Sequence, residues 1–182
     1  MLIEVIGASG SGKSAFAEKL CCSLCPGEKY YIATMSASGA EGEARVKRHR
    51  ANRAGLNFRT VECPAGLERI RLPEGSVLLL EDLPNLLANE MYGPEGRMRD
   101  PGENLPEILM KEIHFLLRQA DSAVVVTGQV FSDGIEYDSS TMEYMRLLAE
   151  LNSRLASEAD EVYEVVCGIP IALMADPGKA DP

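Results

Sequence analysis

Eight residues near the start of the chain, Gly7-Ala8-Ser9-Gly10-Ser11-Gly12-Lys13-Ser14, have the types and spacing to grip a row of phosphates. The glycines let successive backbone N–H groups turn inward around phosphate oxygens. Lys13 brings a compact positive charge to the β- and γ-phosphates, and the Ser14 hydroxyl is a ligand for Mg²⁺. Gly-x4-Gly-Lys-Ser is the Walker A pattern. It follows an apolar run, Leu2 to Ile6, and precedes a segment of helical spacing, Lys13 to Leu24, which is the context the motif requires. A helix starting near Lys13 adds the positive end of its dipole. The ligand this chemistry takes is a nucleoside triphosphate, GTP or ATP, with Mg²⁺.

A magnesium-dependent phosphate site needs an acid at the end of a neighbouring strand. Ser76 to Leu80 is an unbroken apolar run of the kind that fills a central strand, and it ends in Glu81-Asp82. Glu81 is therefore the candidate to hold the cation through water or to act as base toward an acceptor hydroxyl. His49 stands in the basic stretch Arg45-Val-Lys-Arg-His-Arg-Ala-Asn-Arg53. A neutral imidazole is a competent nucleophile toward phosphorus. Surrounding guanidinium groups would disfavour its protonated form and stabilise charge in the transition state. A solvated basic helix accounts for the same composition. The other histidine, His114, lies among Ile113, Phe115 and Leu116 and reads as structural.

These groups must be held by a scaffold. Short apolar runs at Leu2 to Ile6, Tyr30 to Thr34, Phe58 to Cys63, Ser76 to Leu80 and Ala123 to Val126 read as strands. Helical spacing fills Lys13 to Leu24, Gly42 to Ala51, Leu105 to Gln119 and Ser140 to Leu155, with a short turn at Leu67 to Ile70. This alternation predicts an α/β fold with a largely parallel sheet and helices on both faces. Glu161 to Leu173, folded at Cys167-Gly168-Ile169-Pro170, predicts a terminal β-hairpin. Tyr92 to Pro106 reads as a surface loop. Residues 1–175 form one nucleotide-binding domain in this reading, followed by a polar, frayed tail at 176–182.

With 182 residues and a net charge of -10, the chain disfavours non-specific nucleic-acid binding. Five cysteines in no scaffold-like spacing argue against a secreted disulfide protein. Cys22-Ser-Leu-Cys25 lacks a second pair for zinc and reads as part of the apolar packing. The N-terminus lacks the basic start of a signal peptide, and no segment has the length of a membrane span, so the cytoplasm is the expected compartment.

The chain resembles the bifunctional adenosylcobinamide kinase/adenosylcobinamide-phosphate guanylyltransferase family, in matching order over nearly its whole length. The resemblance is carried by the phosphate loop, Tyr31-Ile-Ala-Thr34, Arg45 to Arg53, Phe58-Arg-Thr-Val-Glu62, Leu78-Leu-Leu-Glu81 and Val124-Val-Val-Thr127. It continues through Leu151-Asn-Ser-Arg-Leu-Ala156, Ala159-Asp-Glu-Val162 and Val166-Cys-Gly-Ile169. The most specific part is His-x3-Arg followed by Thr-x-Glu. The resemblance implies a RecA-like sheet and a homotrimer. His49 would be the nucleophile that takes GMP from GTP. Nucleotide contacts would come from Ile32, Ala33, Thr34, Arg50, Ala51, Asn52, Arg53, Glu62 and Glu81. The implied substrate is a corrinoid alcohol, first phosphorylated and then guanylylated.

The chain departs from the family pattern at Gly10, at Asp82-Leu-Pro84-Asn85 and at Gly128-Gln129-Val130-Phe131. Those losses fall on segments expected near the acceptor and the γ-phosphate, whereas the His49 block is kept. Two alternatives stay open beside cobamide assembly. One is a P-loop kinase for another small acceptor, and the other is a nucleotide-binding protein that has lost catalysis.

Overall fold

The computed structural model describes residues 1–35, 53, 55–92, 104–130, 134, 135 and 137–175. The helix expected over Gly42 to Ala51, with His49, Arg50 and Ala51, lies outside them. So do Asn52, most of the loop expected between Tyr92 and Pro106, and the expected tail.

Seven strands form one sheet: β1 (Leu2–Ile6), β2 (Lys29–Ala33), β3 (Phe58–Glu62), β4 (Ser76–Glu81), β5 (Ala120–Val126), β6 (Glu161–Val166) and β7 (Ile169–Met174). Their order is β3-β2-β4-β5-β1-β6-β7. All neighbours pair in parallel except β6 and β7, which form the expected terminal hairpin. The helices are α1 (Lys13–Leu24), α2 (Leu83–Tyr92), α3 (Leu105–Leu117) and α4 (Ser139–Glu158), with one 3-10 turn at Leu67–Arg69.

Strands buried on both faces carry apolar side chains at every position, and β4 and β5 show this in Val77-Leu-Leu-Leu80 and Ala123-Val-Val-Val126. One face packs Ile3, Val5, Tyr31, Val77, Leu79, Val124 and Val126 on Ala17 and Cys21 of α1. The opposite face packs Tyr30, Ile32, Leu78, Leu80, Ala123 and Val125 on α2, α3 and α4. The pattern of strands and helices expected from the sequence has no helix at α2. Its apolar positions Leu83, Leu86, Leu87 and Met91 all lie in this second core.

One charged side chain sits in the middle of the sheet. Glu4, on β1 between Val125 of β5 and Val162 of β6, is 1% exposed, and neither carboxylate oxygen has a hydrogen-bond partner. Burial alone pushes its carboxyl from the ordinary 4.5 up to about 8. The folded chain therefore keeps a proton that the unfolded chain gives up. Glu4's contribution is fully present below the unfolded value and is lost as pH rises through about 8. Glu4→Leu should remove this loss, giving a variant more stable than the parent at pH 9 by a few kcal/mol. The difference should narrow toward pH 5. Thermal unfolding of both forms across that range checks it, and parallel pH profiles would refute it.

Candidate active site

The phosphate loop runs from the end of β1 to the first turn of α1. Gly10 (φ 72°) and Gly12 (φ 94°) lie in the left-handed region, where a side chain would strain the loop. Gly7 is required for space: a Cβ there would lie 2.5 Å from Ser11 Oγ and 2.8 Å from the Val165 carbonyl oxygen. Gly12 caps α1 with no side-chain hydrogen bond, and the first turn carries no acid. The helix N-terminus thus offers its N–H groups to an anion. Lys13 Nζ lies within the loop and donates to the Ala8 carbonyl at 3.2 Å.

Ser14 and Glu81 are sixty-seven residues apart in sequence, and the fold brings them into contact. The Ser14 hydroxyl donates to Glu81 Oε1 at 2.5 Å. Burial pushes the Glu81 carboxyl up to about 7, partly countered by the Ser14 hydrogen bond. Asp82 next to it raises it further, and Lys13 lowers it. Glu81 Oε2 is buried with no hydrogen-bond partner. Hydroxyl and carboxylate oxygens are the hard donors Mg²⁺ takes, and an orphaned carboxylate oxygen beside the motif's serine fits that cation. Ser14 and Glu81 would hold it. Bound there, it would neutralise charge on the phosphates.

The remaining expected residues divide by burial. Thr34 is fully buried: its hydroxyl donates to the Asp82 carbonyl at 2.8 Å and accepts from the Asp82 N–H at 2.7 Å. It fixes the corner that carries Glu81. Ile32 is fully buried in the core beneath that corner. Both lie at the strand end that adjoins Glu81. Ala33 is half-buried at the tip of β2, and Glu62 is exposed at the tip of β3. Arg53 is 6% exposed and stacks its guanidinium over the Tyr31 ring, 3.4 Å from the centroid. A desolvated contact of this kind contributes about 2 kcal/mol. Its Nη1 lies 4.0 Å from Glu18 of α1, too long for a hydrogen bond. Glu18 and Tyr31 were missed in the sequence, since nothing in their spacing marks a partner twenty or more residues away.

Two of the departures from the family pattern meet in space. Pro84, at the start of α2, faces Gly128, just past β5: a Cβ on Gly128 would lie 2.9 Å from Pro84 Cγ. Asn152 of α4 donates to the Gly128 carbonyl at 3.1 Å and accepts from the Thr127 hydroxyl at 2.6 Å. Gly128→Ala should cost about 1–3 kcal/mol by overpacking, and most of that should vanish in the Pro84→Ala background. Thermal unfolding of the four forms of that cycle measures the coupling, and strict additivity would contradict the contact.

Cys21 and Cys63 are buried, and all five cysteines are free. Among the described residues, no group of three or more His, Cys, Asp or Glu side chains is placed to hold a metal. His114 Nε2 lies 2.6 Å from Glu158, joining α3 to α4. No helix among the described residues is long and apolar enough to cross a membrane.

A glycine-framed loop between a central parallel strand and a helix, with a serine of that helix touching an acid at the end of a strand one place beyond the adjacent one, defines a P-loop nucleotide-binding protein. Two solved structures share the fold. The flagellar accessory protein FlaH from Methanocaldococcus jannaschii matches with a TM-score of 0.52 at 10% identity, over 96% of this chain and 78% of that one. A prototypical ATPase of a type III secretion system matches with a TM-score of 0.50 at 12% identity, over 90% of this chain and 51% of that one. The sequence narrows the class. The chain belongs to the cobinamide kinase / cobinamide phosphate guanyltransferase family, whose model matches residues 3–173. It is 31% identical to the bifunctional adenosylcobalamin biosynthesis protein CobU of Escherichia coli, over 95% of this chain and 99% of that one. With the CobU of Salmonella typhimurium the identity is 29% over the same shares, and with the CobP of Pseudomonas aeruginosa 27% over 95% and 97%. The chain is a nucleotide-using transferase of adenosylcobalamin biosynthesis.

Proposed function

We propose that this protein phosphorylates adenosylcobinamide and then transfers GMP from GTP to adenosylcobinamide phosphate through a covalent intermediate on His49. The observation that carries this reading is the Ser14–Glu81 contact at the mouth of the phosphate loop, in a chain matched by the family model over residues 3–173. In the first step the triphosphate lies in the loop from Gly7 to Ser14, with Lys13 on its terminal phosphates. Glu81 accepts the proton of the cobinamide hydroxyl as that oxygen attacks the γ-phosphorus; the P–O bond to the β-phosphate breaks, and the nucleoside diphosphate leaves. In the second step the His49 imidazole nitrogen attacks the α-phosphorus of GTP. A P–N bond forms, the P–O bond to the β-phosphate breaks, and pyrophosphate leaves. A phosphate oxygen of cobinamide phosphate then displaces the imidazole, giving GDP-cobinamide and free His49. Ile32, Ala33, Thr34, Arg50, Ala51, Asn52, Arg53, Glu62 and Glu81 contact the nucleotide in this reading.

The working form is a homotrimer in the cytoplasm. Support for association comes from β7, an edge strand whose Ile169, Ile171, Leu173 and Met174 are all exposed.

The test is product analysis. Protein incubated with cobinamide, Mg²⁺ and ATP or GTP should yield cobinamide phosphate, and with GTP also GDP-cobinamide. Neither product with either nucleotide would overturn the proposal. The departures from the family pattern at Asp82 to Asn85 and at Gly128 to Phe131 give weight to one alternative, a kinase for another acceptor. That alternative expects triphosphate turnover with a different alcohol and no GMP on the protein.

A further inference from the structure

The turn between β6 and β7 lies against the phosphate loop, although Gly168 and Ser11 stand far apart in the sequence. Val166 and Ile169 pair across this turn, leaving Cys167 (φ 50°) and Gly168 (φ 82°) as its two central residues. Both in the left-handed region make it a two-residue turn of the kind that closes tight hairpins. The Gly168 N–H is directed out of the hairpin and donates to the Ser11 carbonyl at 2.8 Å. Packing supports the same approach. The Gly168 Cα lies 3.2 Å from where a Cβ on Gly12 would sit, and Phe16 of α1 meets Tyr163 of β6 edge to face at 5.2 Å.

The Ser11 carbonyl and the Gly12 N–H belong to one planar trans peptide, so they point in opposite directions. Pinning the carbonyl toward the hairpin aims the N–H away from it. With Gly12 at a φ only glycine holds at low cost, this peptide is free to flip unless something fixes it. We infer that the Gly168 N–H is the group that fixes it, making Gly168 a positioning residue that orients the Gly12 N–H toward a bound phosphate. The inference rests on the loop being the nucleotide site. It gives the hairpin a task beyond closing the sheet edge: the apolar strand β7 and the phosphate cradle share one rigid corner.

The test removes that N–H with little change in the shape of the turn. Cys167 permits the full chain to be assembled by ligating residues 1–166, as a thioester, to a synthetic peptide 167–182 in which Gly168 is replaced by glycolic acid. The ester keeps the turn and lacks the donor. The all-amide chain assembled in the same way is the control. Losing one aimed donor to a charged group should weaken Mg²⁺–ATP and Mg²⁺–GTP roughly tenfold or more. The thermal midpoint without nucleotide should stay close to the control, which a merely structural role would not allow. Equal affinity of ester and amide chains would overturn the role of Gly168. Failure of the control to bind nucleotide would overturn the site itself, and this inference with it. Should the ester chain not fold, hydrogen exchange in the unaltered protein decides. Protection of the Gly168 amide must rise when Mg²⁺–ATP is added, because coupling between pin and ligand is reciprocal. Unchanged protection would refute the pin.

Discussion

Lys13→Ala should weaken triphosphate binding by roughly ten- to a hundredfold, the range expected when a charge-assisted hydrogen bond is lost. The electrostatics of the corner set this expectation. The chain carries a net charge of -10, and Glu18 lies near enough to Glu81 to push its carboxyl up. Lys13 lowers the Glu81 carboxyl and is the ammonium group within the loop, held by the Ala8 carbonyl at 3.2 Å. Removing it leaves a triphosphate facing two carboxylates without the loop's own cation. Turnover should fall further than affinity, because charge shifts on the terminal phosphate in the transition state. Titration with a fluorescent nucleotide measures the first effect. Thermal unfolding gives a second view: excess Mg²⁺–ATP should raise the midpoint of the parent and leave that of Lys13→Ala nearly unmoved. Equal affinities would remove the loop from the mechanism.

Much of this arrangement was legible in the sequence because its signals are local. The phosphate loop is a contiguous motif, and the runs at β1, β4 and β5 are apolar at nearly every position because both sheet faces are covered. Gly168 marked the hairpin by turn chemistry, whereas Pro170, read as part of the same corner, lies in β7 opposite Val165. Helix α2 carried a readable signal that the strand-end reading of Glu81-Asp82 hid. Leu83, Leu86, Leu87 and Met91 have helical spacing, and the Asp82 carboxylate accepts from the Asn85 N–H at 3.0 Å, as a helix-starting acid does. What could not be read is what depends on strand order. Strands β1 and β4 are separated by β5, so the Ser14–Glu81 contact is a property of topology. The same holds for Gly168 against Ser11 and for Pro84 against Gly128. The latter pair shows why the departures from the family pattern fall where they do. A proline ring at 84 occupies the space a side chain at 128 would need, so the two changes form one adjustment.

His49→Ala should abolish covalent GMP on the protein while leaving phosphorylation of cobinamide in place. The two steps ask for different groups. In the proposed mechanism phosphoryl transfer uses the loop, Lys13 and the Ser14–Glu81 pair, and none of these depends on an imidazole. Guanylyl transfer requires a nucleophile that can also leave, and a neutral imidazole does both near its ordinary pKa. The sequence places Arg45, Lys47, Arg48 and Arg50 within one short stretch around His49, so the phosphorus it attacks would be surrounded by cations. Intact mass measurement after incubation with GTP and Mg²⁺ should show one added GMP on the parent chain and none on His49→Ala. The adduct should be lost in acid and survive alkali, as a P–N bond does. GDP-cobinamide formation by the variant should fall on the order of a thousandfold or more, because the attacking group itself is removed. A variant that still carries GMP would move the nucleophile elsewhere. A parent chain that never carries it, yet makes GDP-cobinamide, would mean that the cobinamide phosphate attacks GTP directly and that His49 serves only to hold the nucleotide.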